Sequence, residues 1–251
     1  MERSYYKDYF VLEREHWFFR VREKILLYFI KKHAKPGSGV FDFGCGSGYL
    51  VGELQKMGYN AYGIDFEKKA IDYGINFGIK NLTLGSVNKI EYPDESFDLV
   101  MALDALEHIE NEKPVITELS RVLKPGGHIL ITVPAYMWLW GVQDEISHHF
   151  RRYTMNSLTS VLSEFPELKI IRKTYFNTLL FPAIALVRLL SRWLGVKNRS
   201  SDFKIDNRVL GVLFYFIFNL ETYLLKFINF PFGVSMLVVL EKSKLSHEQK
   251  I

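Results

Sequence analysis

The sequence predicts an α/β fold in which a parallel sheet is covered by helices on both faces. Three observations carry that prediction. Between Val40 and Val133, short apolar runs of strand length alternate with segments of helical periodicity. The connections between them are short, as in βα units of a parallel sheet. The first apolar run ends in a turn with glycines at positions 44, 46 and 48, where a ligand can approach bare backbone.

The elements follow in order. Residues Tyr5 to Ile30 read as one helical lead-in, because Trp17, Phe18, Val21, Ile25, Tyr28 and Phe29 recur at helical spacing. Lys35-Pro-Gly-Ser-Gly39 stops that pattern. Val40 to Phe43 is the first strand. Tyr49 to Met57 is a helix with Leu50, Leu54 and Met57 on one face, closed by Gly58. Ala61 to Ile64 is the second strand and ends at Asp65. Glu67 to Phe77 is a helix closed by Gly78, and Leu82 to Leu84 begins a third strand. Phe97 to Leu103 is a buried fourth strand. Glu112 to Leu123 is a helix, Lys124-Pro-Gly-Gly127 a turn, and His128 to Val133 the fifth strand. Beyond Pro134 the rhythm changes. Ala135 to Tyr153 reads as a loop rich in aromatics, His and Arg. Thr154 is placed to cap a helix from Met155 to Phe165. Leu168 to Phe176 and Ser235 to Glu241 are strand-like. Two apolar helical segments lie between them, Thr178 to Leu194 and Val209 to Phe230, joined by the polar run Lys197 to Asn207.

Composition excludes several classes. The chain has 251 residues, 48% of them hydrophobic and 24% charged, which is an ordinary globular mixture. A lone cysteine excludes a disulfide framework and a Cys-based zinc site, and no metal is expected. The formal charge of +4 is too mild to point to nucleic acid, and none is expected as a partner. The stretch Thr174 to Val187 lacks charges but is too short for a membrane span and contains Pro182. The segment Met1-Glu-Arg-Ser-Tyr-Tyr-Lys-Asp lacks the apolar core of a signal peptide, so a cytoplasmic location is expected, with attachment at a membrane surface left open.

The glycine turn carries the chemistry. Helix N–H groups after Gly48 point toward any ligand held by the turn. Asp65, 23 residues after Asp42, ends the next strand, where a carboxylate can accept two hydrogen bonds from ribose hydroxyls. The nicotinamide fingerprint G-x-G-x-x-G is not met, since the third glycine comes one residue early and Tyr49 takes its place. Asp42, two residues before the first glycine, would repel a pyrophosphate and suit a ligand with a cationic end.

At these residues the sequence resembles the class I S-adenosylmethionine (SAM) dependent methyltransferases, type 11/12-like. The resemblance rests on Phe41-Asp-Phe-Gly-Cys-Gly-Ser-Gly48, Gly63-Ile-Asp65, Tyr92-Pro-Asp-Glu-Ser-Phe-Asp-Leu-Val100, Leu103-Asp-Ala-Leu-Glu-His108 and Leu123-Lys-Pro-Gly-Gly127. It implies a Rossmann-like, mostly parallel sheet of seven strands with an antiparallel last strand, plus a helical insertion between the last two strands. The chain 1–251 is then one domain, with a lead-in at 1–35, a cofactor-binding core at 36–175 and a helical cap at 177–233. Asp42, Phe43, Gly44, Cys45, Gly46 and Gly48 would hold the methionine part of SAM. Asp65 would take the ribose, Phe66 the adenine face, and Ser86 and Val87 the adenine edge. Many relatives have an acidic residue where Ser86 stands. Leu103 and Asp104 would lie beside the sulfonium, and Trp17 and Arg20 of the lead-in would close over the cofactor.

A hydroxyl or protonated amine acceptor also needs a group to take its proton. The candidates are Asp104, His108, His148, His149 and Tyr153. His108 follows Glu107 in a motif that is usually part of the frame. The run His148-His-Phe-Arg-Arg-Tyr153 directly follows the fifth strand and reads as a lid on the substrate side, with Arg152 and its neighbour suited to an anionic acceptor. The expected acceptor is a small or lipid-like molecule. An NAD(P)-dependent oxidoreductase and a non-catalytic SAM-binding protein at a membrane surface are the competing readings.

The insertion at 176–232 contains seven Lys or Arg and three Asp or Glu. Its second helix has one polar stripe, Tyr215, Asn219, Thr222, Lys226 and Asn229, on an otherwise apolar surface that wants burial. Its own core, a second protomer or lipid could supply that burial.

Overall fold

The computed structural model describes residues 6–85, 89–194 and 208–244. The chain opens with two helices, α1 (Tyr6–Glu15) and α2 (Trp17–His33), where the periodicity predicts one. The break falls at His16. Its backbone turns extended, at φ −73° and ψ 135°, and its ring nitrogen accepts from the Phe18 N–H at 3.3 Å, so it caps α2.

The alternation then runs β1 (Gly39–Phe43), α3 (Tyr49–Lys56), β2 (Asn60–Asp65), α4 (Lys68–Asn76), β3 (Leu82–Leu84), β4 (Phe97–Leu103), α5 (Lys113–Val122) and β5 (Leu123–Pro134). Lys124-Pro-Gly-Gly127, expected as a turn, lies inside β5. Left-handed Gly126, at φ 78°, absorbs the bend as a bulge, and the register against β4 jumps from Phe97↔Leu123 to Leu99↔His128. A short α6 (Val142–Ile146) follows, within the segment expected to be a loop. Next come α7 (Met155–Leu162), β6 (Leu168–Phe176), α8 (Phe181–Trp193), α9 (Arg208–Leu224) and β7 (Ser235–Lys242). Thr154 caps α7 as expected. Its hydroxyl accepts from Ser157 N at 3.1 Å, and the Ser157 hydroxyl accepts from Thr154 N at 2.9 Å.

The seven strands form one mixed sheet in the order β3-β2-β1-β4-β5-β7-β6. Only β7 runs against its neighbours, β5 and β6. Alternate residues of the central strands enter opposite layers. Phe41, Val100 and Ile131 pack under α5 and α7, while Val40, Leu99 and Leu130 pack under α2 and α3.

The insertion does not bury itself. No residue of α8 is buried. Helix α9 packs on α2 through Phe218, which stacks on Phe18 at 5.6 Å and on Phe176 at 6.4 Å. Part of its polar stripe also faces α2, since Lys24 donates to the Tyr215 hydroxyl at 2.6 Å and to Asn219 at 2.8 Å. The remaining apolar face, including Val212, Phe216, Leu220 and Tyr223, is therefore exposed, as is Phe227 in the turn after the helix. Glu221, fully buried, anchors the base of the insertion by accepting from Leu179 N at 2.7 Å.

Candidate functional site

The order β3-β2-β1-β4 reverses direction between β1 and β4, so the helices after these strands cover opposite faces and leave a crevice at the carboxyl ends. Asp42, Phe43, Gly44, Cys45, Gly46, Asp65, Phe66, Leu103, Asp104 and His108 line it. The glycine turn fits there because Gly44, Gly46 and Gly48 hold φ of 74°, 56° and 71°. A Cβ on Gly44 would lie 2.8 Å from that of Ala105. Gly48 faces away from the crevice, starting α3 beneath Leu82.

Asp65 braces the turn. One carboxylate oxygen accepts from Gly46 N at 2.8 Å and the other from Glu67 N at 2.8 Å. Asp42 is 4% exposed, and its Oδ1 has no hydrogen-bond partner. Burial pushes its pKa from 3.8 to about 7, against the pull of Arg22. A buried carboxylate oxygen left unsatisfied beside a glycine cradle fits the cationic end of an amino-acid ligand, the chemistry of the methionine part of SAM.

The lead-in closes the crevice, but with other residues than Trp17 and Arg20. Those two point to α9, with Trp17 against Phe214 at 5.6 Å and Arg20 over the Tyr215 ring at 5.7 Å. Phe10, Glu13, Phe19 and Arg22, one face of α1 and α2, line the pocket instead. Glu13 accepts from the Ser47 hydroxyl at 2.8 Å, and burial raises its pKa to about 7. Arg22 pairs with Asp104 at 2.7 Å. Asp104 sits in the left-handed region at φ 55°, held by Thr132, whose hydroxyl donates to it at 3.1 Å. Helical spacing from Phe19 to Arg22 was the available signal for this face.

The segment after β5 meets the pocket through His149, whose ring lies 4.6 Å from that of His108. His149 Nδ1 is bonded to fully buried Asp144 at 2.8 Å. Burial would raise Asp144, but hydrogen bonds from His149 and Arg152 hold its pKa down at about 2. Arg152 donates to both Asp144 oxygens, at 2.8 and 2.9 Å, and Arg151 pairs with Glu112. The two arginines expected to clamp an anionic acceptor are thus engaged by protein carboxylates, Arg152 within the segment and Arg151 at the start of α5. Tyr153 is also displaced from the expected site. It is 2% exposed and packs in the core, where its backbone bridges to Ala135. His148 is exposed in the left-handed region. Ser86 and Val87 lie outside the described residues.

Residues 41–131 match the methyltransferase domain family. Among curated proteins, the chain is 34% identical over 113 residues to the mitochondrial ubiquinone biosynthesis O-methyltransferase of Dictyostelium discoideum, covering 38% of this chain and 35% of that one. It is 35% identical over 118 residues to a sterol 24-C-methyltransferase of Gibberella zeae, covering 42% and 29%. The chain spans less than half the length of these relatives. Among solved structures, a SAM-dependent methyltransferase from Archaeoglobus fulgidus superposes with a TM-score of 0.58 at 19% identity, covering 93% of this chain and 99% of that one. One from Aquifex aeolicus gives 0.55 at 21% identity, covering 70% and 93%. At such identities the likeness shows the fold.

Proposed function

The chain belongs, through residues 41–131, to the class I SAM-dependent methyltransferases, and on that premise we propose that it methylates an amphipathic or lipid-like acceptor reached from a membrane surface. The observation that carries the cofactor half is the unpartnered Oδ1 of Asp42 facing the glycine turn.

SAM supplies an activated methyl group on a sulfonium. Asp42 and the backbone from Phe43 to Gly46 would hold its methionine end, Asp65 its ribose and Phe66 its adenine. Phe66 is 54% exposed at the pocket rim, free to lie against a base. Phe10, Phe19 and Leu26 exclude water above the pocket. Leu103, Asp104 and His108 line the pocket, with His149 against His108, and the acceptor would approach from this side. Arg22 fixes the Asp104 carboxylate, and Arg152 positions His149 through Asp144.

The acceptor half rests on the exposed apolar faces of α8 and α9. Trp193 is 82% exposed and Phe227 86%, and the insertion carries a net charge of +4 by sequence. An anionic lipid surface would take both the apolar face and the positive charge. Arg192 donates to the Trp138 carbonyl at 3.1 Å and Arg188 packs by Gly141, so both tie α8 to the segment beside the pocket. Among the described residues, no helix is long and apolar enough to cross a membrane. The relatives named above are, by their names, an O-methyltransferase of ubiquinone biosynthesis and a sterol 24-C-methyltransferase, which supports an apolar acceptor.

Flotation with vesicles of neutral and anionic lipid tests the surface. The protein should float with anionic vesicles, and a variant with Trp193→Ser and Phe227→Ser should not. Failure of the intact protein to float, or a stable dimer that hides this face, removes the membrane reading. In the site, Arg152→Ala should keep S-adenosylhomocysteine (SAH) affinity and lower turnover.

A further inference from the structure

Glu107, His108 and His149 bring one carboxylate oxygen and two ring nitrogens within 4.8 Å of one another. The 3-10 turn Leu106–His108, directly after β4, supplies the first two. The segment after α6 returns to supply the third. We propose that these three side chains bind a divalent first-row transition-metal cation at the wall of the cofactor pocket.

The strongest observation is at Glu107. The residue is fully buried, and neither carboxylate oxygen has a hydrogen-bond partner. A carboxylate withdrawn from water needs a compensating group. Of its charged neighbours, Asp104 has the same sign, while Arg22 is paired with Asp104 and Arg152 with Asp144, and neither arginine hydrogen-bonds to Glu107. A cation between Glu107 and the two rings would compensate it.

The imidazoles suit the role. A neutral imidazole keeps a lone pair for a ligand, and the His108 ring lies 4.6 Å from that of His149. His149 has Nδ1 bonded to Asp144 at 2.8 Å, which leaves Nε2 as the donor. Asp144 is in turn clamped by two hydrogen bonds from Arg152. A carboxylate holding the far nitrogen of a ligating histidine is the usual support of a metal site. Two imidazoles and one carboxylate form a donor set for zinc or a similar cation, with positions left open for further ligands. Because His108 also lines the pocket, those positions face it. On the methyl-transfer reading above, an oxygen or nitrogen of the acceptor would occupy one of them.

The test uses tag-free full-length protein treated with chelator and then titrated with Co²⁺, followed by visible absorption, and with Zn²⁺ by equilibrium dialysis. SAH affinity is measured in parallel by calorimetry. The wild type should bind a single ion per chain and develop ligand-field bands. His149→Ala and His108→Gln should abolish the bands, and Asp144→Asn should weaken binding by about 10- to 100-fold. His149→Ala should retain SAH affinity, which shows that it is folded. A wild type that binds SAH but neither ion, or histidine variants that bind as tightly as wild type, would overturn the site. Ion binding without SAH binding would uphold the site and sink the methyl-transfer reading.

Discussion

Replacing Asp42 by Asn should have effects of opposite sign on the free protein and on the cofactor complex. In the free protein at pH 8, the carboxylate is ionised with one oxygen unsatisfied. The rise of its pKa from 3.8 to about 7 corresponds to roughly 4 kcal/mol of penalty once the group is charged. A buried Asn amide returns about half of that gain through its own unpaired donors. The net stabilisation of roughly 2 kcal/mol should raise Tm by about 4–8 °C at pH 8. Toward pH 4 the carboxyl is already protonated, so that penalty is absent and the amide's own unpaired donors should leave the variant less stable than wild type by about 2 kcal/mol. In the complex, a charge-assisted hydrogen bond is lost. At about 1.5–3 kcal/mol, SAH affinity should fall by roughly 10- to 150-fold. Differential scanning fluorimetry at several pH values reads the first effect, and isothermal calorimetry the second. A variant with unchanged SAH affinity, or one less stable than wild type at pH 8, would refute the reasoning.

Other outcomes follow from the same geometry. The SAM-free protein should lose stability as pH rises, because the folded pKa values of both Asp42 and Glu13 lie above their ordinary ones. Their contribution is fully present below about pH 4, lost as pH climbs to about 7 and flat beyond; saturating SAH should flatten that slope. Gly44→Ala forces a Cβ to 2.8 Å from Ala105 at φ 74°, and should lower Tm by about 3–10 °C by fluorimetry. Trp193→Ser with Phe227→Ser removes two side chains of about 2 kcal/mol burial each. Vesicle partitioning should fall by roughly 100- to 1000-fold with Tm unchanged.

The central sheet was legible because strands buried on both faces read as apolar runs. The carboxyl-end acids Asp42 and Asp65 were legible because a glycine turn marks where strand becomes ligand loop. Residues brought in by tertiary packing were harder. Glu13 and Arg22 reach the pocket only after α1 and α2 fold over it, and nothing local distinguishes Arg22 from Arg20. The break at His16 was hidden because a ring nitrogen, not a hydroxyl or carboxylate, makes the cap. Arg151 and Arg152 read as an anion clamp because Glu112 and Asp144 lie 39 and 8 residues away. The polar stripe of α9 showed an apolar surface that wants burial but not which side packs on the core. Lys24 draws Tyr215 and Asn219 onto α2, leaving an apolar side outward. Glu107 looked like part of the frame, and only its burial with no partner shows it to be unusual.

The most direct test is methyl transfer from methyl-labelled SAM into a cell extract, separated afterwards into lipid, protein and small-molecule fractions, with SAH counted alongside. The expected result is protein-dependent label in the lipid-extractable fraction, matched by SAH and lost in Asp42→Asn at low SAM. No SAH above background with any fraction would contradict the assignment of this chain as a methyltransferase.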